Sequence, residues 1–267
     1  MFAMYEGLPP DVELTTDVSA AQWVSTRLQP WARDGVRIAS YMPDVFEAYA
    51  RVFHPASDRG VPAYGRRWAD LAARIGVAFH ADIAFLEVAG LETAEERVLD
   101  EIAPMDGSLP LSTLESLVAL LAAHGDEDGP AWFCLWDGNG TWWKGAHGVT
   151  TADGRTDPRL ERIDDERDRV LRSTPSVPGP SRAYFLMRGP LRSVVPLFDA
   201  ASSQSPNLWW PGSRDWLVST EVDGYSTYVG GSRRLIDDLL ASRLVEALET
   251  DISAHLDVGP YPPRHRS

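Results

Sequence analysis

Lysine and cysteine are almost missing from this chain, and each absence closes off a class of function. Lys144 is the one lysine among 25 basic side chains, an arginine bias that reads as a GC-rich coding sequence rather than a site. Cys134 is the one cysteine, so neither an intrachain disulfide nor a cysteine-rich metal centre is expected. Lying in an apolar run, it reads as a buried, inert thiol. Positive charge is short as well: 25 Lys and Arg against 39 Asp and Glu leave a net charge of −14. A phosphate-binding groove needs clustered cations, so no nucleic-acid partner is expected, and the same sign disfavours an anionic membrane surface. No apolar run approaches the ~18 residues of a membrane span. Met1-Phe2-Ala3-Met4-Tyr5-Glu6 lacks the basic and apolar regions of a signal peptide. A cytoplasmic protein is the expectation, with a basic protein as a suitable partner; oligomeric state is left open.

Catalytic signatures are missing too. His54, His80, His124, His147, His255 and His265 are scattered, without His-x-His or His-Glu-x-x-His, so no metal site is expected. There is no Gly-x-Ser-x-Gly elbow, no Walker loop and no Gly-x-Gly-x-x-Gly, so no catalytic residue and no cofactor is assigned.

What is present is an ordinary globular composition, 44% apolar and 24% charged. A helix is predicted from Asp17 to Leu28, capped by Thr16 or Asp17 and stopped before Pro30. Gly35–Tyr41 and Phe46–Phe53 read as strands. Arg66–Ile75 and Ser112–His124 read as amphipathic helices, the first closed by Gly76, the second opened by a Ser112–Glu115 capping box. Ala131–Trp136 reads as a central strand buried on both faces, turning at Asp137-Gly138-Asn139-Gly140 into Thr141-Trp142-Trp143. Residues 144–180 read as a solvated insertion, and 260–267 as a flexible tail. Beyond the insertion come a strand at Arg182–Met187 and a short helix from Gly189-Pro190 to Phe198. A hairpin follows, 215–222 with 225–229 around Asp223-Gly224, and then a helix from Ser232 to Leu240. Neither hairpin buries its apolar face alone. The expectation is one α+β domain spanning 1–267, its single mixed or antiparallel sheet covered by helices.

Three places suggest ligand chemistry. Gly230-Gly231-Ser232-Arg233 leads from a strand into a helix start, where free N–H groups and guanidinium charge suit a phosphate or carboxylate; a plain N-cap is the alternative. Asp137, Glu221 and Asp223 lie beside the two turns and form an acid–base pair if those turns meet. Trp209 and Trp210, bounded by Pro206 and Pro211, read as a loop that exposes at least one indole for recognition. The other paired or near-paired members of the ten tryptophans are Trp132, Trp136, Trp142 and Trp143.

Several stretches carry a resemblance: Phe46-Glu47-Ala48-Tyr49-Ala50-Arg51-Val52-Phe53-His54-Pro55, Trp132-Phe133-Cys134-Leu135-Trp136-Asp137-Gly138, Ser205 to Pro211, Asp215 to Asp223, and Ser226 to Ser232. Together they resemble a family of uncharacterised bacterial proteins, over most of the chain except the insertion, and this carries no activity over. Trp216 to Tyr228, and more loosely Trp132 to Trp142, are also similar in outline to the SUKH superfamily of α+β immunity proteins. That superfamily's Leu-Pro-x-x-Tyr opening has no counterpart here, because Leu8-Pro9-Pro10 leads into a polar stretch. The missing catalytic motifs, the acidic charge and the surplus tryptophans, together with this resemblance, lead to the expectation of a non-catalytic protein-binding module, with the immunity or toxin-neutralising kind as what the resemblance implies. The alternative is a small-molecule enzyme with carboxylate acid–base residues in a tryptophan-lined pocket.

Overall fold

The computed structural model describes residues 8–32, 35–58, 61–91, 102–125, 128–138, 173–200 and 204–257. The strands are β1 (Glu13–Leu14), β2 (Ala48–Phe53), β3 (Ala56–Asp58), β4 (Val61–Arg66), β5 (Pro130–Trp136), β6 (Val177–Pro178), β7 (Ala183–Pro190), β8 (Leu208–Pro211), β9 (Leu217–Thr220), β10 (Ser226–Gly231) and β11 (Ala247–Glu249). The helices are α1 (Gln22–Ser25), α2 (Trp68–Ile75), α3 (Phe85–Ala89), α4 (Leu111–Ala122), α5 (Val194–Ala200) and α6 (Arg233–Ala241). Nine strands make one sheet in the order β1-β7-β5-β8-β9-β10-β2-β11, with β6 also on β7; β3 and β4 form a separate hairpin. Every pairing in the large sheet is antiparallel. The fold is α+β with a single main sheet.

Alternation along the strands sorts side chains between two cores. Ala131, Phe133 and Leu135 of β5, with Ala48, Ala50 and Val52 of β2, face α4, α5 and α6. From those helices Leu114, Leu117, Leu121, Val194, Leu197, Leu235, Ile236 and Leu239 fill the layer. The opposite face, carrying Cys134, Leu186, Leu217 and Tyr228, is covered by the segment around α1 and residues 36–42. A third cluster at the end of β2 packs Phe53, Trp68, Ile83 and Phe85 together. Each large apolar side chain buried in these clusters contributes about 1.5–3 kcal/mol.

Most predicted elements are present, and the departures have identifiable causes. Gly35–Tyr41 is not a strand beside Phe46–Phe53. Its amides and carbonyls pair with 252–256 instead (Ile38 N–H to Ala254 O, Leu256 N–H to Val36 O), and a 3₁₀ turn occupies Ile38–Ser40. The first helix runs only through Ser19–Ala21 as 3₁₀ and then α1, with Asp17 Oδ1 accepting from Ser19 N–H. Helix α4 starts one residue early, at Leu111, because Pro110 takes the capping position and its carbonyl accepts from Thr113 and Leu114. Ser112 therefore lies inside the first turn, and the Ser112–Glu115 capping box does not form. Both edges of β5 are taken, by β7 and by β8; Thr141–Trp143 lies outside the described residues. The far end of the expected insertion joins the sheet, since Val177 is buried and β6 pairs with β7; residues 144–172 and 260–267 lie outside the described residues.

Trp209 and Trp210 are the largest correction. They stand in β8, not in a loop, and both are 0% exposed. The pleat sends Trp209 to the helical face and Trp210 to the other. Pro206 and Pro211 do not prevent this, because Pro211 is the last residue of its strand, where a missing N–H is tolerated. No helix among the described residues is long and apolar enough to cross a membrane.

Candidate functional site

Strands β8, β9 and β10 run side by side, so their ends define two separate places. At one end β8 leaves through Pro211, β9 enters after Trp216, and β10 hands over to α6 through Gly231 and Ser232. At the other, β9 exits into Glu221 and Asp223. Trp216 and Glu221 are five residue steps apart along β9, roughly 17 Å at about 3.3 Å per step. The predicted site residues are thus divided between two sites.

The Glu221 end is a closed ion-pair cluster. Arg182 donates to Glu221 Oε1 from Nε (3.2 Å) and Nη2 (2.7 Å), and to Asp223 Oδ2 at 2.6 Å. Its guanidinium also lies 4.9 Å from the centre of the Trp136 ring. Arg182 thus links Trp136, at the end of β5, to Glu221 and Asp223, whose carboxylates are tied to a cation instead of standing free. Glu221 is 1% exposed while the Asp223 side chain is 43% exposed. Burial raises the Glu221 pKa despite the opposing Arg182 charge, and burial with the Glu221 charge raises Tyr41. Burial works against the Arg182 charge, but Glu221 and Asp223 outweigh it and raise its pKa. Among the described residues Glu221 Oε2 has no hydrogen-bond partner.

The other end opens into a cleft of about 650 Å³. Trp23 and Phe46, edge to face at 6.2 Å, and buried Trp216 line it. The tryptophan pair singled out from sequence supports this lining from behind. Trp210 meets Trp23 edge to face at 5.8 Å, and Trp209 meets Trp216 at 5.5 Å. One indole of the pair thus packs on each of the two lining tryptophans. Arg27, Arg214, Glu47, Asp215 and His124 supply the charged and titratable lining.

Gly230, Gly231, Ser232 and Arg233 do not make a phosphate cradle. Both glycines are in the β10 ladder opposite β2. A Cβ would fall 2.5 Å from Phe46 on Gly230 and 2.5 Å from Leu235 on Gly231, so their role is close packing. Ser232 Oγ accepts from Leu235 N–H at 3.2 Å as an N-cap. The Arg233 N–H donates to Glu47 Oε2 at 2.8 Å, and the Arg233 side chain donates to Glu249. The chain's own Glu47 carboxylate thus occupies the anion position at this helix terminus.

The histidine of the cleft is engaged as well, and the one cysteine is buried away from it. His124 Nε2 pairs with Asp238 at 2.9 Å, tying α4 to α6. Cys134 is fully buried, which raises its thiol pKa and keeps it protonated. Among the described residues no group of three His, Cys, Asp or Glu is gathered as a metal ion would need. The cleft residues that sequence reading missed are Trp23, Arg27, Phe46, Arg214 and Trp216. Nothing local marks them, because the site joins positions nearly two hundred residues apart.

Compared with known proteins, the chain matches no family model, no curated protein and no solved structure.

Proposed function

We propose that this chain is a non-catalytic recognition protein whose ligand binds in the cleft between Trp23, Phe46 and Trp216. The observation that carries this is Arg214. It is the one non-glycine residue with positive φ among the described residues, at 64°, a conformation that costs a side-chain-bearing residue about 1–2 kcal/mol. It closes the turn after β8, where its N–H donates to Pro211 O, and its guanidinium stands 5.6 Å from the centre of the Trp23 ring. A glycine would satisfy that backbone without strain. The strained arginine therefore reads as a residue placed for what its side chain meets. Cleft volume supports the same reading, since small-ligand sites run to about 300–1,000 Å³. The engagement of His124 and Ser232 favours binding over covalent or acid–base chemistry in the cleft.

The test pairs stability with binding in Arg214→Gly. Urea unfolding should show the variant as stable as the wild type or up to about 1 kcal/mol more stable. Binding of fragments that protect the wild type in a thermal-shift screen should be lost. Unchanged fragment binding would remove Arg214, and with it the main support for this site.

A second reading, an immunity-type protein that neutralises a basic partner, is favoured by the net charge of −14 and by the similarity to the SUKH superfamily. Its aromatic anchor, an exposed Trp209–Trp210 pair, is gone. What remains is long-range steering, which would weaken steeply as salt rises.

A further inference from the structure

We infer that Tyr49 is the positioning residue of the cleft, its phenol fixing the irregular segment that carries Val45 and Phe46; this rests on the cleft being the binding site. Residues 43–47 are neither helix nor strand, yet Val45, Phe46 and Glu47 line the cleft. Such a segment keeps one conformation only where groups outside its own backbone satisfy its N–H and C=O groups. Tyr49, buried in β2 just beyond it, does this with a single oxygen. That oxygen accepts from Val45 N–H and from Phe46 N–H, each at 3.0 Å. Its one proton goes to the Pro43 carbonyl at 3.2 Å, with Asp44 Oδ1 a second acceptor at 3.3 Å. A phenol has one O–H and two lone pairs, and all of them are spent on four consecutive residues. Burial raises the Tyr49 pKa, so the proton stays in place at neutral pH.

The Phe46 side chain is placed from the same direction. Its ring meets the Tyr49 ring edge to face at 6.1 Å and the Trp23 ring at 6.2 Å. It also lies against bare backbone, since a Cβ on Gly230 would fall 2.5 Å from Phe46 Cδ2. Beyond it, Glu47 accepts from the Arg233 N–H at the start of α6. The segment is thus pinned by the phenol over Pro43 to Phe46 and by a helix terminus at Glu47. Tyr49 is not among the lining residues, so its effect on a ligand passes through Val45 and Phe46. A lining already held in its binding geometry spares the ligand the cost of ordering it. Tyr49→Phe separates the two contributions, because it keeps the ring contact and removes only the hydroxyl.

Amide hydrogen exchange of the full chain, read by NMR, tests this together with isothermal titration of indole, benzoate, benzylammonium and benzamide. In the wild type the Val45 and Phe46 amides should be protected. In Tyr49→Phe they should exchange at least about ten-fold faster, beyond any change at Val218 and Val229 in the sheet. The probe that binds the wild type most tightly should bind Tyr49→Phe about ten-fold or more weakly. Wild-type Val45 and Phe46 amides that exchange as in an unstructured peptide would overturn the inference, and this measurement decides even if the variant does not fold. Equal acceleration at all four amides would make Tyr49 a merely structural residue and overturn it too. So would wild-type affinity in Tyr49→Phe, which leaves the cleft in place as the site. Binding of no probe to the wild type would overturn the cleft reading instead, and the role of Tyr49 with it.

Discussion

At the scale of single residues, tryptophan and histidine carry the firmest expectations. Trp209 and Trp210 each fill a different core and pack on a different tryptophan of the cleft lining. Trp209→Ala and Trp210→Ala should each lose about 3–5 kcal/mol in urea unfolding. A loss near 0.5 kcal/mol for either would restore the exposed loop that their flanking prolines suggested. His54 is fully buried, with Nδ1 2.7 Å from the Met105 carbonyl and Nε2 2.9 Å from Thr227 Oγ1. A carbonyl only accepts, so Nδ1 carries the proton, and Nε2 accepts from the Thr227 hydroxyl, which in turn accepts from Thr220 at 2.7 Å. Burial, reinforced by Arg51, holds the pKa down to about 4 from 6.5, against the opposing Met105 contact. The folded pKa is depressed, so stability is full above pH 6.5 and falls between 6.5 and about 4 as the unfolded chain takes up the proton first. The loss is about 3 kcal/mol. Glu246 and Asp106, whose pKa values burial raises, act in the opposite direction. The comparison is therefore with His54→Gln: the stability gap between wild type and variant should narrow by about 3 kcal/mol from pH 7 to pH 4. A gap that does not change with pH would mean His54 is not held neutral.

At the scale of elements, helix starts here are capped from far away in sequence. Helix α2 has no side-chain cap of its own; Glu246 accepts from the N–H groups of Trp68 (2.7 Å) and Ala69 (2.9 Å). Asp257 accepts from Phe85 N–H at the start of α3, and Glu47 from Arg233 N–H at the start of α6. Glu246→Ala strands two N–H donors, one of them buried, and should cost about 1–3 kcal/mol in thermal or urea unfolding. Glu246→Gln, which keeps an acceptor, should recover part of that loss. Equal stability of Glu246→Ala and wild type would show the cap to be idle. These caps mark the limit of what the sequence discloses. The amphipathic stripes of α2, α4 and α6 and the Asp223-Gly224 hairpin are legible because their signals lie within a dozen residues. The Ser232 cap is legible for the same reason. Ser112 was misread because Pro110 competes for the same position two residues earlier. Trp209 and Trp210 were misread because prolines mark strand ends as readily as loops. The cleft itself was invisible. Trp23, Phe46 and Trp216 carry no mark that distinguishes a wall from a core, and only the sheet order brings them together.

At the scale of the whole molecule, the sheet places the Glu221 cluster and the cleft at opposite ends of β9. Arg182, Glu221 and Asp223 pair with one another at one end beside Trp136, whereas among the described residues Arg27 and Arg214 form no ion pair at the other. The central claim is that the uncommitted end is the one that binds. Because Trp23 and Trp216 line the cleft while Trp136 lies under Arg182, tryptophan itself can report which end responds. The most direct measurement is the ¹⁹F spectrum of 5-fluorotryptophan-labelled protein, with Trp23→Phe, Trp136→Phe and Trp216→Phe used for assignment, recorded during titration with hits from a fragment screen. The Trp23 and Trp216 resonances should move together and saturate at one concentration, with Trp136 unmoved. Movement of Trp136 with Trp23 and Trp216 stationary would place binding at the carboxylate cluster and contradict the account.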